Sequence, residues 1–294
     1  MSKFSNISIV ASFFGLWIVS FFSNKIQIIL GFLLIFSFGI LHGANDLLLI
    51  EKNNSNKKTP NFIKSLINYV LVIILCALLF YFIPWLTLLL FIIVSAYHFG
   101  EQQWKELINN YPKWGWNTIF LTYGMFIFSL LFLFHAQEVE NIVYEITNVK
   151  ISKSLIPHLF NLVLITFMLT IGYTYYIYES LRRKILTELF YLIVFTIIFK
   201  ASSLIWGFAL YFIFWHSIPS IIEQMNFLYG KLSIQNFMSY CKSAALYWVI
   251  SIVGIILLYL LLKDKELFNA IFFSFLAAIT FPHVIVITKI FNRK

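Results

Sequence analysis

Apolar runs separated by short polar or Pro/Gly breaks dominate this chain. They lie near 4–22, 26–50, 62–83, 85–104, 117–135, 157–178, 185–199, 203–222, 242–262 and 267–290. A helix rising 1.5 Å per residue needs ~20 apolar residues to cross ~30 Å of hydrocarbon, and most of these runs meet that length. The run at 185–199 is short enough to be re-entrant, so the pattern predicts about eight to ten spans. Pro84 stands where a helix would begin, after a tight turn. The first run follows Met1-Ser2-Lys3, exceeds a signal h-region and lacks an A-x-A cleavage pattern, which predicts a retained helix. The longest polar stretches, Glu51–Asn61 and Ala136–Ile156, read as loops between spans. Neither an internal repeat nor a low-complexity tract is visible. The expected architecture is all-α, a polytopic helical membrane protein forming one domain over 1–294.

Composition narrows the class further. Of 294 residues, 61% are hydrophobic, 20% aromatic and 11% charged, with a mean hydropathy of +0.88. Soluble domains carry roughly 25% charged residues. A water-facing surface cannot be made from so little charge, which excludes soluble enzymes, secreted disulfide scaffolds and disordered chains. The net charge of +9 does not indicate nucleic acid, because the basic residues are scattered over loops rather than gathered into a stripe. In a membrane protein they report topology instead. Lys25, Lys150, Lys153, Lys200, Lys263 and Lys265 fall on one side, and the other fifteen of the 21 basic residues fall with the N-terminus. That imbalance predicts both termini in the cytoplasm. Cys76 and Cys241 lie in apolar runs and read as buried small hydrophobes with no disulfide.

Against this background the histidines carry the candidate chemistry. An ionisable or metal-binding side chain inside a span is costly, and so marks a functional site by default. His42, His98, His216 and His283 each fall about 13–16 residues into an even-numbered span, which is roughly 20–24 Å along a helix. All four spans run toward the cytoplasm, so the four imidazoles are expected at one depth on four helices. His135 and His158 fall near the opposite face and read as interfacial. Carboxylates accompany the inner four. Asp46 follows His42 by four residues and Glu101 follows His98 by three, spacings that place each on its histidine's helical face. A metal-bound imidazole normally donates its second N–H to such a group. Glu223, seven residues after His216, reads as a headgroup-region charge. Imidazole suits zinc, copper, iron and nickel. The chain has no H-E-x-x-H helix of the hydrolytic zinc type. A buried all-histidine site with open positions fits Fe(2+) meeting O2 and a lipid-soluble substrate, both of which concentrate in a bilayer.

Four segments carry a family likeness: GILHGANDLLL (39–49), VSAYHFGEQQW (94–104), LYFIFWHSIPSII (210–222) and FPHVIVI (281–287). In content and order they resemble the Brp/Blh family of bacterial and archaeal membrane beta-carotene 15,15'-dioxygenases. The resemblance implies oxidative cleavage of the central double bond of beta-carotene to give two molecules of retinal, which then serves as chromophore for a rhodopsin. It also implies that His42, His98 and His216 ligate iron. The family pattern often has a second histidine four residues after the W-H-S histidine, and here that position is Ser220. His283 is then the candidate for the fourth imidazole. Tyr97, Phe99, Trp104, Trp206, Tyr211 and Trp215, beside the histidines, are candidates for the wall of an aromatic substrate tunnel. Three other readings compete. A transporter would use the histidines as a proton relay, but no repeated halves with broken helices are visible. A membrane cytochrome would pair axial histidines on a haem. A membrane desaturase would need dense histidine boxes, which this chain lacks.

Overall fold

A computed structural model describes residues 3–54, 62–105, 112–262 and 268–291. Every regular element among them is helical. Seven helices are long and apolar enough to cross a membrane: Phe62–Phe82, Pro84–Trp104, Gly115–Phe134, Leu155–Ile177, Leu204–Tyr229, Ile234–Leu257 and Ile271–Phe291. Two shorter apolar helices, Phe4–Val19 and Asn24–Gly39, precede them. The expected all-helical, membrane-type architecture is therefore what the chain adopts. Its outer faces agree with that: Leu71, Leu75, Tyr81 and Phe82 are all exposed, an arrangement suited to lipid rather than water.

Several expected boundaries change. The run at 26–50 is not one helix. It comprises α2 (Asn24–Leu34), a π-helical stretch (Ile35–Gly39) that runs on helically to residue 41, and α3 (Asp46–Asn54) after a turn at 42–45. Within the turn the amide of Gly43 donates to the Ile40 carbonyl and that of Ala44 to Leu41, so the α-helical ladder is interrupted. The expected loop at Ala136–Ile156 contains an amphipathic helix, α7 (Ala136–Thr147), because its valines and isoleucines recur at helical spacing between glutamates. The run at 242–262 is the end of a longer helix, α12 (Ile234–Leu262), whose first turns are polar enough to escape a hydropathy pattern. The short run at 185–199 is α9 (Arg182–Lys200), a helix of 19 residues whose charged ends keep it out of the seven. Pro84 does open a helix, α5 (Pro84–Trp104). Of the residues used for orientation, Lys57, Lys58, Lys263, Lys265, Arg293 and Lys294 lie outside the described residues.

Two compact units are distinguished. The first comprises Met1–Ile35, Ser95–Glu140 and Ile151–Ser217. In it α6 (Lys113–Phe134) packs on α8 (Leu155–Ile177), and α1 (Lys3–Val19), α2 and α9 pack on α10 (Leu204–Tyr211). Small residues set the closest approaches. A Cβ at Gly100 would sit 1.9 Å from the Phe120 carbonyl oxygen, and one at Gly124 would sit 1.8 Å from that of Ala96. Helices α5 and α6 therefore meet backbone to backbone, which membrane helices achieve with small residues because no hydrophobic effect drives them together. Ser203 caps α10 by accepting from the Trp206 amide, a consequence of Ser-Ser preceding the apolar run.

The second unit comprises Phe36–Val94, Asn141–Lys150 and Ile218–Lys294. Here α13 (Phe268–Phe291) packs on α3 and α4 (Phe62–Phe82), burying Leu49, Val286 and Ile290 together. A second cluster joins Ile221 and Met225 of α11 (Ile218–Tyr229) to Tyr240 of α12. Cys76 is buried and Cys241 half-buried, and both are free thiols, as expected.

The contact between α5 and α6 gives a direct test. Gly124→Leu or Gly100→Val should abolish folding in detergent, since the overlap is with backbone and exceeds the ~1–3 kcal/mol of ordinary overpacking. Gly172→Leu, at a position with open space around its Cβ, should leave the thermal midpoint near wild type.

Candidate metal centre

The imidazoles are placed by four local structures. His42 lies in the turn after the first π-helical stretch, and His98 lies on α5. His216 lies within a second π-helical stretch, Phe212–Ser217, and His283 follows Pro282 inside α13. Single π-helical turns in otherwise α-helical segments are frequent at functional sites, since the extra residue re-aims a side chain. All four rings are buried.

In the first unit, the rings of His98 and His216 meet edge to face with centroids 4.9 Å apart. Phe212 stacks on His216, and Phe99 lies 4.6 Å from it, so an aromatic collar surrounds this imidazole. Glu101, itself buried, places Oε2 3.5 Å from His98 Nδ1, as the spacing of three predicted. Gln102 donates from Nε2 to the His216 carbonyl at 3.0 Å, which ties α5 to the second π-helical stretch.

In the second unit, His42 and His283 meet edge to face at 4.7 Å. His283 Nδ1 lies 2.9 Å from Asp46 Oδ1 and 3.1 Å from Oδ2. Tyr69 on α4 donates its hydroxyl to Asp46 Oδ2 at 2.9 Å. His42 Nδ1 bonds the Gly39 carbonyl. With Nδ1 held on these acceptors, Nε2 is the nitrogen through which His42 and His283 would bind a metal, and imidazoles of this type fit a divalent transition ion. The helical spacing of four had assigned Asp46 to His42. The break at 42–45 removes that register and turns the carboxylate onto His283.

The turn carrying His42 is clamped by α11 and α12. Gln224 Nε2 donates to the His42 carbonyl at 2.7 Å and to Ser220 Oγ at 3.0 Å. Tyr240 donates to Gln224 Oε1 at 2.8 Å, Asn45 donates to the Tyr240 carbonyl, and Ser243 donates to Asn45. Ser220 thus occupies the position of the expected family histidine as a hydrogen-bond partner of Gln224. Glu223 is half-buried. His135 is buried and bonds the Phe199 carbonyl at 2.9 Å through Nε2, a link at the junction of α6 and α7, whereas His158 is exposed near the start of α8.

The aromatic candidates divide by their neighbours. Phe99 touches His216, and Tyr211 stands behind it with ring centroids 5.5 Å apart. Trp215 faces away from this contact. Its indole donates to Ser12 Oγ at 3.1 Å, and its ring meets Tyr191 and Phe195. Tyr97 donates to Asn117, Trp104 lies against Tyr123 beneath the Lys184 ammonium, and Trp206 is buried in the first turn of α10. Sequence reasoning missed Tyr69, Gln224, Asn45 and Tyr240, which clamp the site. It also missed Glu188, a buried carboxylate on α9 that accepts from Tyr123 at 2.8 Å and from Gln103 at 2.8 and 2.9 Å. A lone acid inside an apolar run was the signal available for Glu188.

Comparison with known proteins decides the family. The model of the beta-carotene 15,15'-dioxygenase family matches residues 33–291, which include all four histidines and run through both units. The chain belongs to the beta-carotene 15,15'-dioxygenase family. The family is one of oxidoreductases. A beta-carotene 15,15'-dioxygenase from uncultured marine bacterium 66A03 is 28% identical over 265 residues, covering 86% of this chain and 90% of that protein. No solved structure matches the chain.

The clamp on the His42 turn can be tested by itself. Gln224→Leu removes the nearest donor from the His42 carbonyl, at 2.7 Å, and the nearest acceptor from Tyr240, leaving these buried groups only the long 3.4 Å contact with each other and that of Tyr240 with the Leu41 carbonyl at 3.5 Å, and should cost roughly 1–3 kcal/mol. The thermal midpoint in detergent should fall accordingly. An unchanged midpoint would show that the turn does not depend on this clamp.

Proposed function

We propose that the protein cleaves the central 15,15' double bond of beta-carotene with O2 to give two all-trans-retinal, using Fe(2+) held by His42, His98, His216 and His283. Family membership supports the reaction. The observation that carries the site is the anchoring of imidazole Nδ1 atoms on acceptors, Asp46 for His283 and the Gly39 carbonyl for His42. Burial of all four rings and the edge-to-face pairing of His98 with His216 and of His42 with His283 support metal binding by these imidazoles.

Bound ferrous iron would supply the O2 chemistry that no side chain offers. In the overall reaction the O–O bond and the central C=C bond break and two C=O bonds form, so no further reductant is required. The chain's own part is to position one double bond among many similar ones and to exclude water. Phe99, Phe212 and Tyr211 make an apolar wall beside His216 along which a polyene can lie. We extend that wall to Tyr97, Trp104, Trp206 and Trp215 as a tunnel entered laterally from an inner membrane, with both termini cytoplasmic. Asp46 and Glu101 orient His283 and His98. Retinal released into the bilayer would be available to a rhodopsin, and we assign no nucleic-acid partner.

Expression in bacteria that accumulate beta-carotene tests the reading. Wild-type protein should bleach the cells and yield retinal, and His98→Ala should abolish both. Yellow cells without retinal would overturn the reaction, and bleaching that survives His98→Ala would overturn the site.

A further inference from the structure

Helix α4 is the segment least expected to serve the metal centre. Only 11% of its apolar window is buried, and Ile63, Leu71 and Leu75 are among its exposed residues. It carries no part of the four family segments. Yet Tyr69 reaches inward from it and donates to Asp46 Oδ2 at 2.9 Å, while His283 Nδ1 takes Oδ1 at 2.9 Å.

A carboxylate can rotate about its terminal bond through a broad, roughly two-fold range. His283 Nδ1 lies 2.9 Å from Oδ1 and 3.1 Å from Oδ2, a contact that the two oxygens can exchange by that rotation. The Tyr69 hydroxyl, from a different helix, binds Oδ2 alone and so fixes which oxygen faces which donor, and with it the direction in which the His283 ring is held. Tyr69 also packs against the Leu49–Val286–Ile290 cluster, so its ring is anchored in the contact among α3, α4 and α13. Both donors converge on one carboxylate, and the hydrogen bond it makes at Nδ1 bears on the ligand strength of the opposite nitrogen, Nε2.

We propose that Tyr69 is a positioning residue of the metal centre, which through Asp46 sets the orientation and ligand strength of His283. This rests on His283 being a metal ligand. A purely structural alternative is that the hydroxyl merely satisfies itself on a nearby acceptor inside the membrane.

The two accounts differ in a measurable way. Purified full-length wild type, Tyr69→Phe, Asp46→Asn, the double variant and His283→Ala would be loaded with Fe(2+), and release to an excess of a coloured ferrous chelator followed. The visible spectra of the Co(2+)-loaded proteins and the melting of the metal-free proteins would be recorded alongside. Tyr69→Phe keeps the ring and its packing. It should release iron about 10–100-fold faster and shift the Co(2+) bands, the range expected when an outer hydrogen bond to a metal ligand is lost. In the Asp46→Asn background it should add little, because the two act through one group. A metal-free Tyr69→Phe protein that melts lower but releases iron at the wild-type rate with an unchanged Co(2+) spectrum overturns the proposal. Wild type that retains no metal overturns the metal reading itself. Wild type and His283→Ala that release it equally exclude His283 as a ligand, and Tyr69 loses its role with it.

Discussion

An imidazole has two nitrogens, and holding one on an acceptor determines what the other can do. In a hydrocarbon-like interior no water can serve as that acceptor, so the protein must supply it. At His283 the acceptor is Asp46, and at His42 it is the Gly39 carbonyl. The rest of the second unit follows from this requirement. Helix α2 ends in a π-helical stretch and a turn because a continuous helix would leave the Gly39 carbonyl engaged along its axis and Asp46 one turn above His42. Breaking the helix moves the carboxylate to α13. The turn so created exposes backbone groups, and these are met by Gln224 and Tyr240 at the His42 carbonyl and by Tyr240 at that of Leu41.

Packing answers the same demand in the first unit by different means. Gly100 lies two residues beyond His98 and one before Glu101, in contact with the Phe120 carbonyl. No side chain fits there, so α5 lies on α6 in close van der Waals contact, with the hydrogen bond from Tyr97 to Asn117 joining the same two helices. The Y-H-F-G-E segment therefore combines a candidate ligand, the aromatic ring that touches His216, a close-approach residue and a carboxylate within five positions. Its composition is dense because helix contact and site geometry share one turn.

Much of this was legible in the sequence where the information is local. Apolar run length marked the long helices and intramembrane polarity singled out four histidines, all of them buried, since both depend on the cost of placing a group in hydrocarbon. The spacing of three placed Glu101 beside His98 correctly, because α5 is unbroken there. The spacing of four misplaced Asp46, because Gly43 and its neighbours break the register and periodicity cannot see a break inside an apolar run. The polar start of α12 and the amphipathic α7 were lost to a hydropathy pattern for the complementary reason: a helix can form without being apolar throughout. Tyr69 and Gln224 were out of reach, as their partners lie on other helices and nothing in their neighbours marks them.

Two buried carboxylates illustrate how similar chemistry serves different ends. Glu188 accepts from Tyr123 and Gln103, and so binds α9 to α6 and α5. Its donors are side chains with no second nitrogen to offer, and the cluster's effect ends in the mutual placement of three helices. Asp46 also accepts from a tyrosine, but its other donor is His283. There the hydrogen bond that the tyrosine helps to place acts on the far side of the ring, at Nε2. Removing either acid would leave buried donors unsatisfied and cost stability. Only at Asp46 would the loss also change the electron density and direction of a candidate ligand. A buried acid in a membrane helix is thus read not by its burial but by what its donors carry on their far side.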